Sequence, residues 1–266
     1  MMVTVVSGAS PEGWEQYGRR FVETFREHWP SEIELRFCGD GPRYPGFPSD
    51  MRYHDRLAES AALRNFQERH ARNEIAHGRR LAPGQIGWSE RKLAECYNFR
   101  YDAVRFCNKV FSIELVARTA PPGWLVWLDA DIVTFARVPA VLFEALLPPG
   151  FALACLDRGN YHSECGFVGY NLQHPATLGF IRRFAAVYAS DEVFALEEWH
   201  DSWVFDYLRR RQRVPSYSIP HCSPKQPFIN SVLGAYMDHL KGSSKTRGKS
   251  LVTQMLAGHN HQYWLT

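Results

Sequence analysis

Two carboxylates stand one residue apart at Asp129-Ala130-Asp131, directly after an unbroken apolar run from Trp124 to Leu128. Such a run reads as a central strand buried on both faces. In an open α/β sheet, ligands bind beyond the carboxyl ends of the strands, so Asp129 and Asp131 are expected at the ligand edge. Carboxylates held this close repel unless positive charge lies between them. A hard divalent cation meets that need, and its remaining positions suit phosphate oxygens. The tripeptide by itself is common in solvated turns. The buried strand before it and Ile132-Val133 after it set this copy apart.

The elements that must position this pair can be read from the apolar pattern. Val3 to Ser7 is a short β-branched strand ending at Gly8. Pro11 to His28 carries Tyr17, Phe21, Thr24, Phe25 and His28 at helical spacing and stops at Trp29-Pro30; Ile33 to Phe37 is a second strand. This β-α-β opening predicts a parallel sheet with crossover helices. Asn98 to Ala117 reads as a helix with Phe99, Ala103, Phe106, Val110 and Ile113 on one stripe. Further strands are expected over Phe151–Leu156 and Gly166–Tyr170, and helices over Pro175–Ala189 and Glu197–Arg211. Pro215 to Pro227 reads as loop, Phe228 to Lys241 as mixed, and Gly242 to Ser250 as a flexible basic stretch. Residues 51–95 are polar and Arg-rich without a clear core stripe, and read as a helical insertion lying over the sheet. The expected fold class is thus α/β: one domain over residues 1–266, with a mostly parallel central sheet flanked by helices and a weak boundary near residue 150.

Composition narrows the function. Apolar residues make up 45% and charged residues 22%, enough for a sizeable core. The net charge of +3 is too small to suggest a nucleic-acid partner. The six cysteines contain no C-x-x-C pair and read as reduced and buried, which suits a cytoplasmic protein. Met1 to Ser10 reads as a first strand and not as a signal peptide. No window approaches 18 uncharged apolar residues, so no membrane span is expected.

The block WLVWLDADIVTFARVP, residues 124–139, resembles the D-x-D segment of GT-A (Rossmann-like) glycosyltransferases. DHLKGSSK, residues 238–245, is similar to the H-x-x-G-x-x-K pattern of glycosyltransferase family 8, the glycogenin-like enzymes. Leu240 stands where that family usually has an aromatic residue, and Thr246-Arg247 where it has Pro-Trp. The resemblance implies that His239 joins Asp129 and Asp131 as a third ligand of Mn²⁺ (or Mg²⁺). Gly242 and Lys245 would contact the donor diphosphate. A neutral imidazole suits manganese beside carboxylates, glycine lets backbone approach phosphate, and lysine neutralises a leaving diphosphate.

The same resemblance makes residues 1–150 a nucleotide-binding half, and residues 151–266 an acceptor half with the metal and diphosphate segment at its end. It places Asp129 and Ala130 of the D-x-D segment against the donor. Ser7 would face the nucleobase and Tyr17 would border it; Arg105 and Lys109 would contact the donor. Glu164 and Asp201 become the carboxylates nearest the transferred sugar. Tyr17 also fits helix core, Lys109 a solvated helix face, and Asp201 an ordinary helix cap.

The implied activity is transfer of a hexosyl-type sugar from a nucleotide-sugar donor, by default UDP-linked, to a saccharide or other hydroxyl acceptor, with retention of configuration. If the reaction inverts instead, Asp201 or Glu164 would serve as base. A nucleotidyltransferase is the first alternative, but Ser7-Gly8-Ala9-Ser10-Pro11-Glu12-Gly13 lacks the lysine or arginine of a triphosphate loop. A non-catalytic nucleotide-sugar-binding protein is the second.

Overall fold

The computed structural model describes residues 1–80 and 97–265. Its strands are β1 (Val3–Gly8), β2 (Glu34–Gly39), β3 (Arg52–Asp55), β4 (Trp124–Leu128), β5 (Ile132–Thr134), β6 (Leu153–Leu156), β7 (Glu164–Asn171), β8 (Ser216–Ser218) and β9 (Met237–His239). Seven form one sheet in the order β3-β2-β1-β4-β7-β6-β8, and β5 pairs with β9 apart from it. The β1–β2, β2–β3, β1–β4 and β6–β8 pairs are parallel, whereas β7 runs antiparallel to both β4 and β6. The sheet is therefore continuous across residue 150.

Strand alternation sorts the side chains into two apolar layers. On β4, Trp124, Val126 and Leu128 enter the layer containing Phe21, Phe25 and Phe143. Leu125 and Trp127 enter the opposite layer with Val110, Phe111 and Phe184. The long helices that cover the faces are α1 (Arg19–His28), α2 (Ala61–His70), α3 (Ala103–Ala117), α4 (Thr177–Ala189) and α5 (Asp201–Arg211). Ahead of α1, the helical path begins at Pro11–Gly13 and widens into a π turn over Trp14–Gly18.

Several expectations change. The 51–95 segment is not simply laid over the sheet. Its start supplies the edge strand β3, and α2 buries Leu63 and Phe66 completely in the same layer as Val110. Two fully buried residues three apart suffice because Arg64, Asn65 and Glu68 stay exposed, while Gln67, on the buried side, donates to Asn108 of α3. Residues 81–96 of that segment, with Cys96, lie outside the described residues. The stretch 215–227 contains β8, whose three residues are too few to show a period. Helix α3 begins at Ala103, because Asp102 caps it by accepting from the Arg105 N–H. The 242–250 stretch contains a helical turn, Ser244–Arg247, and Cys222 is exposed.

The antiparallel β7 matters most for the site. Leu128 pairs with Phe167, so the start of β7 lies beside the carboxyl end of β4. Glu164 and the Asp129–Asp131 turn are brought to one edge. Among the described residues, no helix is long and apolar enough to cross a membrane.

Because Phe66 is core and not cover, Phe66→Ala is expected to lower the unfolding free energy by about 3–5 kcal/mol, read by urea denaturation. A loss below ~1 kcal/mol would restore the overlying-insertion reading.

Candidate active site

The chain reverses after β4 so that the Ile132 N–H donates to the Asp129 carbonyl, and β5 then leads away from the two carboxylates. β9 returns antiparallel along β5, with Ile132 opposite His239, and the Leu240 N–H donates to the Asp131 carbonyl. This short ladder carries His239 across more than a hundred residues of sequence to the aspartates. Its Nε2 lies 3.1 Å from Asp131 Oδ1 and 3.5 Å from Asp129 Oδ2. Gly242 then takes a left-handed turn at φ +52°, which glycine adopts without strain. The helical turn that follows brings Lys245 Nζ to 2.7 Å from Asp131 Oδ2 and 4.7 Å above the Tyr17 ring.

The first carboxylate has its own partners. Lys109 Nζ donates to Asp129 Oδ1 at 3.0 Å and to the Cys165 carbonyl at 2.6 Å, and pairs with Asp201 Oδ2 at 2.8 Å. Its three protons are thereby committed. Lys109 fixes Asp129 and Asp201 and is not free to reach a phosphate. The Trp127 indole N–H also donates to Asp129 Oδ1, at 2.6 Å.

These contacts set the charges. Burial opposes ionisation of Asp129, but Lys109 and His239 outweigh it and hold the carboxyl well below its ordinary range. Asp131 is lowered too, with burial again opposed, here by the imidazole and by Lys245. Burial disfavours an imidazolium at His239, yet the Asp131 and Asp129 carboxylates push its pKa up to about 9.

The donor set fits a divalent cation. The ligand atoms of Asp129, Asp131 and His239 all lie within 4.8 Å of one another. Neighbouring ligands of one octahedral ion with bonds near 2.1 Å stand about 3 Å apart, close to the 3.1 and 3.5 Å seen here. Asp131 Oδ1 is buried and accepts no aligned hydrogen bond, so a lone pair remains for an ion.

Other expected residues fall into two groups. Tyr17, Arg105, Ala130, Asp201 and Lys245 line one cavity with the aspartates. At ≈ 180 Å³ it is smaller than the roughly 300–1,000 Å³ of ligand pockets, and Lys245 reaches across it to Asp131. Arg105 donates to the Tyr97 hydroxyl at 3.2 Å. Asp201 is the first residue of α5, and His200 holds the N-cap position.

Ser7 and Glu164 fall elsewhere. Ser7 is fully buried and donates to the Leu128 carbonyl at 2.7 Å, tying β1 to β4; Gly8, Ala9 and Ser10 face the cavity instead. Glu164 is buried behind the imidazole. One oxygen lies 3.1 Å from His239 Nδ1, and the other pairs with Lys241.

Three contributors escaped sequence reasoning. Trp127 and Asp129 are two apart on an extended path, as are His239 and Lys241, so strand alternation was the available signal. Gly166 had no such signal. A Cβ there would come within 2.5 Å of the His239 ring, so its missing side chain makes room for the imidazole.

No family model matches the chain, and no curated protein sequence matches it. Among solved structures, similar ones include the apo form of the glycosyltransferase GlyE of Streptococcus pneumoniae TIGR4 (13% identity, TM-score 0.44). The match covers 81% of this chain and 44% of GlyE, so the chain spans less than half of that protein's length. Mouse xyloside xylosyltransferase 1, apo form, is similar at 10% identity and TM-score 0.45, over 81% of this chain and 84% of that one. A glycosyltransferase involved in glycosylation of the major capsid of PBCV-1 is similar at 14% identity and TM-score 0.47, over 93% and 98%. These are likenesses of backbone arrangement; the chemistry of the site stands on its own residues.

The folded pKa of His239 lies above the ordinary ~6.5. Its contribution to stability is therefore complete below pH 6.5 and is lost as pH rises through 9. Chelator-treated protein is expected to lose about 3 kcal/mol across that window relative to His239→Gln. Parallel pH–stability curves for the two proteins would contradict the charge assignment.

Proposed function

We propose that the chain is a metal-dependent glycosyltransferase of the GT-A type, moving a sugar from a nucleoside-diphosphate donor, UDP by default, to a hydroxyl acceptor. What carries the reading is the β5–β9 ladder, which sets an imidazole from near residue 240 against a D-x-D pair at a strand end and delivers Lys245 one turn later. Asp129, Asp131 and His239 would hold Mn²⁺ or Mg²⁺, which when bound supplies positive charge to the departing diphosphate.

The chain's own residues account for the rest. Lys245 exchanges Asp131 for donor phosphate, which also reopens the cavity it spans. There it neutralises charge on the leaving group. Tyr17 borders the nucleotide, and Arg105 stands at the cavity rim. Lys109 holds Asp129 and Asp201 in place.

Both carboxylates that an inverting reaction would use as base are engaged by lysines, Asp201 by Lys109 and Glu164 by Lys241. A carboxylate held against an ammonium is a weak base. This favours retention, with the leaving phosphate accepting the acceptor proton. Four buried free cysteines, Cys38, Cys107, Cys155 and Cys165, suit a reducing compartment, and the proposal places the reaction in the cytoplasm.

A thermal-shift panel of nucleoside diphosphates, each with and without Mn²⁺, tests the reading. Beyond any stabilisation by Mn²⁺ alone, a diphosphate is expected to add about 2.7 kcal/mol at a hundredfold excess over Kd, and only when Mn²⁺ is present. Asp131→Ala is expected to lower Mn²⁺-dependent donor hydrolysis at least ~100-fold while the chain stays folded by circular dichroism. Equal shifts without metal, or undiminished turnover by the variant, would refute it.

A further inference from the structure

A second set of ligand-type side chains converges beside this site and is independent of the reading above. His162 precedes β7, whereas Glu198 and His200 precede α5. Glu198 Oε2 lies 2.9 Å from His200 Nε2 and 3.9 Å from His162 Nε2, and the two imidazole centroids are 4.7 Å apart. The three ligand atoms lie within 4.8 Å of one another.

A Glu198–His200 hydrogen bond explains two of these groups. It does not explain His162, whose nitrogen faces the same oxygen from beyond hydrogen-bond range. A tetrahedral ion with bonds of about 2.0–2.1 Å separates its ligand atoms by roughly 3.4 Å, and the two observed distances bracket that value.

The surroundings resemble the outer shell of a metal site. The other oxygen of Glu198 lies 3.0 Å from Arg100 Nη1, which orients the carboxylate and leaves Oε2 toward the imidazoles. Glu198 and His200 are buried, and the rings of Phe99 and Phe106 stand 5.5 and 5.9 Å from that of His200. His162 is half-buried and lines a separate cavity of ≈ 440 Å³ with Trp203 and Tyr207, through which an ion and a fourth, water ligand would arrive.

We propose that His162, Glu198 and His200 form a second divalent-cation site. Two nitrogens and one oxygen suit Zn²⁺, unlike the carboxylate-rich first site. An ion there staples the segment before β7 to the start of α5, one residue from Asp201.

The test uses the untagged full chain carrying Asp131→Ala, which disables the first site, stripped by chelator and titrated calorimetrically with Zn²⁺ alone. One equivalent is expected, and His162→Ala in that background is expected to weaken binding at least about tenfold. Should Asp131→Ala fail to fold, the unmodified chain is titrated in the same way, with two equivalents expected and one after His162→Ala. Co²⁺ in the parent protein reports the ligands without a further variant, with intense visible bands and no thiolate-to-cobalt charge transfer expected. Absence of binding, unchanged affinity in His162→Ala, or a thiolate band implicating Cys222 would each overturn the proposal.

Discussion

Two carboxylates facing each other at the end of a buried strand are an electrostatic liability, and much of the structure at this edge answers it. Asp129 and Asp131 stay ionised although burial opposes it, because positive groups converge from three directions: Lys109 from α3, His239 from β9 and Lys245 from the turn beyond it. Each arrives by a different structural route. None would have reason to sit there if the aspartates were solvated turn residues.

The same balance describes how such a site would be used. A monocation and a protonated imidazole hold two anions in register, and both are exchangeable. His239 would give up its proton to ligate a divalent cation through the ring nitrogen, and Lys245 would leave Asp131 for a diphosphate. What must not move is Lys109, with its three protons committed to Asp129, Asp201 and the Cys165 carbonyl. The division between a fixed buried lysine and a movable exposed-side lysine fits a site that binds and releases charged ligands. Glu164 backs the imidazole from the far side, as carboxylates commonly do behind metal-binding histidines.

Much of this was legible in the residues, for stated reasons. The β1–α1–β2 opening and the β4 run carry strong apolar patterns, and the D-x-D pair sits where strand-end logic puts it. His239 and Lys245 entered only through the resemblance to the H-x-x-G-x-x-K pattern, and β9 and the following turn set both beside the aspartates. Less visible were elements too short to show a period, such as β3 and β8, and the core role of α2, whose fully buried apolar residues are just Leu63 and Phe66. Roles that depend on side-chain direction were also hidden. Ser7 turns inward to Leu128, Lys109 spends its charge within the protein, and Glu164 faces the imidazole instead of the cavity. The space left by Gly166 depends on a tertiary contact that local pattern does not encode.

Pulsed electron paramagnetic resonance of the Mn²⁺-loaded chain addresses the central claim most directly. The account predicts ¹⁴N coupling from an imidazole bound to manganese, lost in His239→Gln while the variant remains folded. Manganese lacking nitrogen coupling, or coupling that survives that substitution unchanged, would contradict it.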